Sequence, residues 1–174
     1  MKVYHYGLHY DEERRRIELV TYGVFAEPDA IYSPEWLYSF LSNQIHPGWS
    51  KLDRDILVSL NNRSRVTAFY FIQNGAQCYT LFSQRLTLLY ALLSFREAFV
   101  FVHYKANAAR SPTELDDGAC RSLKKSFASL SLNLYDFLLI GPDGLYSYQT
   151  EEAADQPRQP IPASITSQTN GRAA

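Results

Sequence analysis

Residues 98–116, AFVFVHYKANAARSPTELD, constrain the chain more than any other stretch. Ala98 to Val102 is an apolar run rich in Phe and Val, closed off by Arg96-Glu97 before it and by a polar loop after it. A run that short, bounded on both sides, reads as a buried strand. Beyond the loop, Ser111-Pro112-Thr113-Glu114 reads as a helix start: Ser111 caps, Pro112 takes the first helical position and Glu114 completes a capping box. His103 therefore falls at the carboxyl end of a central strand and faces a helix N-terminus across a loop. Open α/β sheets collect their chemistry at that place.

Strand and helix signals alternate through the rest of the chain, which predicts a single α/β domain with a mixed sheet and helices on its faces. Two apolar and aromatic runs, 2–9 and 16–25, flank a charged turn from Asp11 to Arg15 and form an N-terminal hairpin. Glu27-Pro28-Asp29 turns the chain, Ser33 caps a helix over 33–45 with Trp36, Leu37, Phe40, Leu41 and Ile45 on one face, and His46-Pro47-Gly48 stops it. Strands follow at 55–60 and 65–72, with Asn74-Gly75 leading to another near 78–82. Residues 84–95, including Leu86, Leu89, Tyr90 and Leu93, form a helix apolar on most sides, expected to be buried between layers. A helix over 112–130 turns Leu115, Ala119, Leu123, Phe127 and Leu130 inward, and strands 134–140 and 145–149 close the sheet around Pro142-Asp143-Gly144. From Thr150 on, Glu, Ala, Gln, Pro, Ser and Thr dominate and leave little to bury, so 151–174 is expected to be a disordered tail.

Net charge is −1, and the basic clusters that stand out are Arg14-Arg15-Arg16 and the group Arg121, Lys124, Lys125. These read as solvated surface, which speaks against nucleic acid as a partner. Cys78 and Cys120 form no C-x-x-C pair, so neither a zinc ribbon nor a disulfide framework is indicated. His5 and His9 lie on one strand without a carboxylate or Cys at ligand spacing, and read as hairpin histidines. The first residues lack the order of a signal peptide, and no apolar run reaches about 18 residues. The expected setting is cytoplasmic, away from membranes.

His103, position 105, Thr113 and Asp116 fall on the frame H-x-H-x(7)-S-x-x-D, with Lys105 in place of the second His and Thr113 in place of the Ser. Ile31-Tyr32-Ser33-Pro34-Glu35, Leu52-Asp53-Arg54-Asp55, Asn62-Arg63-Ser64-Arg65-Val66, Leu134-Tyr135-Asp136-Phe137-Leu138-Leu139-Ile140-Gly141 and Leu145-Tyr146-Ser147 add further matches in order. Over about 31–148 the chain resembles the RadC-like JAB/MPN family of metalloprotease-like (JAMM) domains. The resemblance implies a three-layer, cytidine-deaminase-like fold in a bacterial protein, divided into a hairpin extension (1–30), a JAB domain (31–150) and the tail. In the family, two His and the Asp hold zinc and a water, a Glu on an earlier strand acts as general base, and the Ser steadies the tetrahedral intermediate.

Here the frame is degenerate. An ammonium at Lys105 repels zinc where an imidazole should bind it, and Tyr70 falls roughly where the base is expected. Tyrosine, with an unperturbed pKa of about 10, is a poor base near neutrality. Three readings follow. The first is a pseudoenzyme with no cofactor, acting on an unknown protein partner as an interaction or structural module and purifying without stoichiometric zinc. The second is an isopeptidase-like zinc hydrolase using His103, Asp116 and some other ligand. The third is an anion or small-molecule site of Lys105, His103 and Thr113 at the helix N-terminus.

Overall fold

The computed structural model describes residues 2–26, 31–44, 52–74, 78 and 81–155. In chain order its elements are β1 (Lys2–Asp11), β2 (Arg16–Ala26), α1 (Pro34–Gln44), β3 (Arg54–Leu60), β4 (Val66–Asn74), α2 (Leu81–Leu93), β5 (Ala98–Tyr104), α3 (Glu114–Ser129), β6 (Asn133–Gly141), β7 (Gly144–Ser147) and α4 (Tyr148–Asp155). The strands form one seven-stranded mixed sheet in the order β2-β1-β4-β3-β5-β6-β7. β1 runs parallel to β4 and β5 parallel to β6, while the other neighbours are antiparallel.

Alternation along the strands divides the core into two layers around the sheet. One face carries Ile56, Val58, Phe69, Val100, Val102 and Leu138 against Leu37, Phe40 and Leu41 of α1. The other carries Leu57, Tyr70, Phe99, Phe101, Phe137 and Leu139 against Tyr90 and Ala91 of α2 and Ala119, Leu123 and Phe127 of α3. β5 is interior to the sheet and buried from Phe99 to His103. A strand covered on both faces needs apolar residues at consecutive positions, which is why its sequence runs unbroken. The N-terminal hairpin joins this same sheet through β1 and β4, and Tyr4, Tyr6, Leu8 and Leu19 pack on the α2/α3 layer.

Several local expectations are corrected. The strand expected near 78–82 is absent among the described residues: Cys78 lies in a turn, and Leu81 and Phe82 open α2. They run straight into the helical spacing of Leu86, Leu89, Tyr90 and Leu93, so that helix begins earlier than 84. Nor is α2 enclosed, since Arg85 is exposed and Leu92 half-exposed, and its deepest residues are Ser83, Thr87, Tyr90 and Ala91. Thr87 can lie there because its hydroxyl donates to the Ser83 carbonyl at 2.8 Å.

The cap of α3 is Thr113 rather than Ser111, and the reciprocal residue is Asp116 rather than Glu114. The buried stripe of α3 is Asp116, Ala119, Cys120, Leu123 and Phe127. A carboxylate thus takes the inward place in the first turn, Leu115 falls beside it and is exposed, and Leu130, the C-cap, is also exposed.

The last strand stops at Ser147, whose hydroxyl accepts the Thr150 amide at 3.1 Å and starts α4, so Tyr148, Gln149 and the first residues of the expected tail are helical. Glu27-Pro28-Asp29, Ile45 to Gly48, Gly75 and 156–174 lie outside the described residues.

Candidate functional site

The site is built where β5 ends. Antiparallel pairing of β3 with β5 puts Asp55 opposite His103, and His103 Nδ1 meets Asp55 Oδ1 at 2.8 Å with both side chains buried. The connection between β4 and α2 brings in a third group, Cys78. One ligand atom each from Asp55, Cys78 and His103 lies within 4.8 Å of the other two. Burial, then the Asp55 carboxylate and its hydrogen bond, push the Cys78 thiol well above its ordinary range. The thiol is held protonated and is not an activated nucleophile.

Beyond β5 the chain crosses the ends of β6 and β7. The Lys105 amide donates to the Ile140 carbonyl at 2.7 Å, the Ala106 amide to Asp53 Oδ1 at 2.9 Å and the Arg110 amide to Asp143 Oδ1 at 2.8 Å. Gly141 permits the crossing: a Cβ there would stand 2.8 Å from the Ala108 carbonyl oxygen and 2.8 Å from the Arg110 nitrogen. This path returns the chain to Thr113 directly against Lys105.

Lys105, Thr113 and Asp116 form one buried knot. Lys105 Nζ lies 2.6 Å from Asp116 Oδ2 and donates to the Ser111 carbonyl at 3.1 Å. The same Asp116 oxygen receives the Thr113 amide at 2.8 Å and the Thr113 hydroxyl at 2.7 Å. The side chains of Lys105 and Asp116 are only 7% and 2% exposed. Helix N-termini with a nearby cation favour an anion. The anion held here is the chain's own Asp116.

The frame residues therefore separate into two groups. His103 bonds to Asp55, whereas Lys105, Thr113 and Asp116 stay together. Tyr70 is buried on the same face of the sheet, but its hydroxyl is directed to Ser59 and Ser94, and burial pushes its pKa upward. Ser59 pairs with Phe99 at the start of β5, so the Tyr70 hydroxyl sits toward the end of the sheet opposite His103.

Zinc at the family's frame position does not fit these residues. A dication added to one ammonium and one carboxylate leaves two uncompensated positive charges in a buried site. A metal bound to Asp116 Oδ2 would also compete with Lys105 and with the Thr113 amide and hydroxyl, which already share that oxygen.

Asp55 and Cys78 are the groups that sequence reasoning missed. Asp55 had a signal, because two adjacent antiparallel strands with an acid at the start of one and a histidine at the end of the other bring them side by side. Cys78 had none, since its position depends on the path of a connection.

A further buried carboxylate, Asp136 on β6, accepts from the Tyr32 hydroxyl at 2.6 Å, the Ser147 hydroxyl at 2.8 Å, the Phe137 amide at 2.7 Å and the Gln149 amide at 3.1 Å. Burial raises its pKa, and these four hydrogen bonds pull it back down. It ties the segment before α1 to β6, β7 and α4.

Comparison with known proteins places residues 31–153 in the RadC-like JAB domain family. A UPF0758 protein of Streptococcus gordonii (strain Challis) is 26% identical over 101 residues, which cover 58% of this chain and 45% of the relative. The match thus spans less than half of that relative's length. No helix among the described residues is long and apolar enough to cross a membrane.

Proposed function

Because the chain belongs to the RadC-like JAB-domain family, we propose that it is a variant of that domain in which an internal ammonium stands in the place of the metal. It serves as an interaction or structural module and does not hydrolyse peptide or isopeptide bonds through the family frame. The observation that carries this reading is the buried contact of 2.6 Å between Lys105 Nζ and Asp116 Oδ2. It is reinforced by Tyr70, which offers no carboxylate base and directs its hydroxyl elsewhere. The external-anion reading loses support from the same knot, whose donors already face Asp116. A metal-dependent role has one observation in its favour, the grouping of Asp55, Cys78 and His103, which shares only His103 with the frame.

The test is a hydrolysis assay on peptide and isopeptide substrates, with and without added zinc. Wild type is expected to show no turnover above background. Zinc-dependent turnover that disappears in Asp116→Asn overturns the reading. Lys105→His removes the ammonium and completes a set of two imidazoles and Asp116, so that variant is expected to bind zinc more tightly than wild type, and Asp116→Asn is expected to remove that gain.

A further inference from the structure

We propose that Asp55, Cys78 and His103 form a binding site for a divalent, thiophilic transition metal ion, with zinc the best match. The three donors come from three places in the chain: the start of β3, the connection between β4 and α2, and the end of β5. Two of them are fixed by the sheet itself, because Asp55 and His103 are partners in the β3/β5 register and both are buried.

Their ligand atoms lie within 4.8 Å of one another. Around a tetrahedral zinc ion with bonds of about 2.0–2.3 Å, ligand atoms are separated by roughly 3.3–3.7 Å. Seating an ion therefore takes shifts of about 1 Å or less: Cys78, the least buried of the three, moves most easily, and an ion bound through His103 Nδ1 opens the 2.8 Å contact with Asp55 Oδ1.

Charge counting favours this trio over the frame. One dication, one thiolate, one carboxylate and one neutral imidazole sum to zero, so a loaded site carries no net charge into the interior. Binding releases the thiol proton to solvent, and the His103 ring takes the tautomer that presents a nitrogen lone pair to the ion. The fourth position goes to water or to another donor. Mixed S, N and O ligation selects zinc or cobalt over magnesium and calcium, which take oxygen ligands. Such an ion clamps β3, β5 and the β4–α2 connection together. It also replaces the metal-free expectation drawn from the frame with a metal held beside Lys105 and Asp116, on a ligand set that keeps only His103 of the frame.

The experiment is titration of the full chain with cobalt(II), read by absorption. Wild type is expected to bind one equivalent, with a thiolate-to-cobalt charge-transfer band and visible bands of tetrahedral intensity, and zinc is expected to displace the cobalt. Cys78→Ser should abolish the charge-transfer band, Asp55→Asn should weaken binding at least tenfold, and Cys120→Ala, in the second thiol, should change neither. A denaturation curve for each variant establishes that it is folded. Protection of the Cys78 thiol from alkylation by added zinc gives a readout on wild type alone. Absence of cobalt and zinc binding, or binding unchanged in Cys78→Ser, overturns the proposal. Binding lost in Asp116→Asn but retained in Cys78→Ser places the metal in the family frame and overturns the proposed function as well. Hydrolysis without loss of the Cys78 signal overturns that function alone.

Discussion

Replacing Lys105 by Met keeps the stem of the side chain and removes only the charge. With Lys105 and Asp116 both nearly inaccessible, the deletion leaves a carboxylate in the interior without its counter-ion. Breaking one half of a buried ion pair costs about 3–5 kcal/mol. Asp116 keeps the amide and hydroxyl of Thr113 and the first turn of α3, and a helix N-terminus contributes about 0.3–1 kcal/mol to a carboxylate. The expected loss is therefore about 2–4 kcal/mol, or roughly 5–15 °C in melting temperature for a chain of this size. Asp116→Asn strands the ammonium instead, with the Ser111 carbonyl still accepting from it, and should cost a similar amount. The informative measurement is the cycle. Urea unfolding of wild type, Lys105→Met, Asp116→Asn and the double variant should show the double change costing at least about 2 kcal/mol less than the sum of the singles. Additivity to within about 0.5 kcal/mol would refute the claim that the two charges sustain each other, and with it the claim that the ammonium does a metal's electrostatic work.

Three other outcomes are open to measurement. Phe101, buried in β5 with its ring centroid 5.0 Å from that of Phe137, should cost about 3–5 kcal/mol on truncation to Ala, and a loss below about 1 kcal/mol would show that it is not core. Truncation after Asp155 should leave stability within about 0.5 kcal/mol, whereas truncation after Ser147 should cost at least about 1–2 kcal/mol by thermal unfolding, since it removes the Tyr148 hydroxyl bond to Asp117 at 2.6 Å and the Gln149 amide bond to Asp136. Asp136→Asn should be tolerated far better than Asp136→Ala, because the Tyr32 and Ser147 hydroxyls can turn to accept from the new amide. Because the folded pKa of Asp136 is raised, the native state holds its proton more tightly than the unfolded chain. Wild-type stability relative to Asp136→Asn should therefore fall as pH rises from about 3.9 to that raised value, and level off above it.

Periodicity made the layers legible. The unbroken run at 98–102 placed β5 inside the sheet, and the face of Leu37, Phe40 and Leu41 placed α1 on the core. The misplaced boundaries have local causes: Ser111 and Thr113 are both competent caps, and the reciprocal bonds of Thr113 with Asp116 make Thr113 the cap. The capping reading itself separated Asp116 from the chemistry of its neighbours. At the site, spacing located Lys105, Thr113 and Asp116 together but gave no hint that His103 would turn to Asp55. That preference depends on strand register, which no spacing along one segment reports. Cys78 was set aside for want of a second Cys nearby in sequence, a criterion suited to ribbons and blind to ligands gathered from three segments.

The placing of β1 beside β4 has a consequence for the order of events during synthesis. β1 and β2 pair locally and can form a hairpin as soon as both have left the ribosome. The partner that covers the free edge of β1 is β4, which ends about 50 residues beyond β2 and takes roughly 2–10 s more to be made at about 5–20 residues per second. Throughout that interval Tyr4, Tyr6 and Leu8 have no layer to pack on, and the β1 edge is open to strands of other nascent chains. The hairpin is thus finished well before the strand and helices that house it, and the turn from Asp11 to Arg16 at its tip is charged.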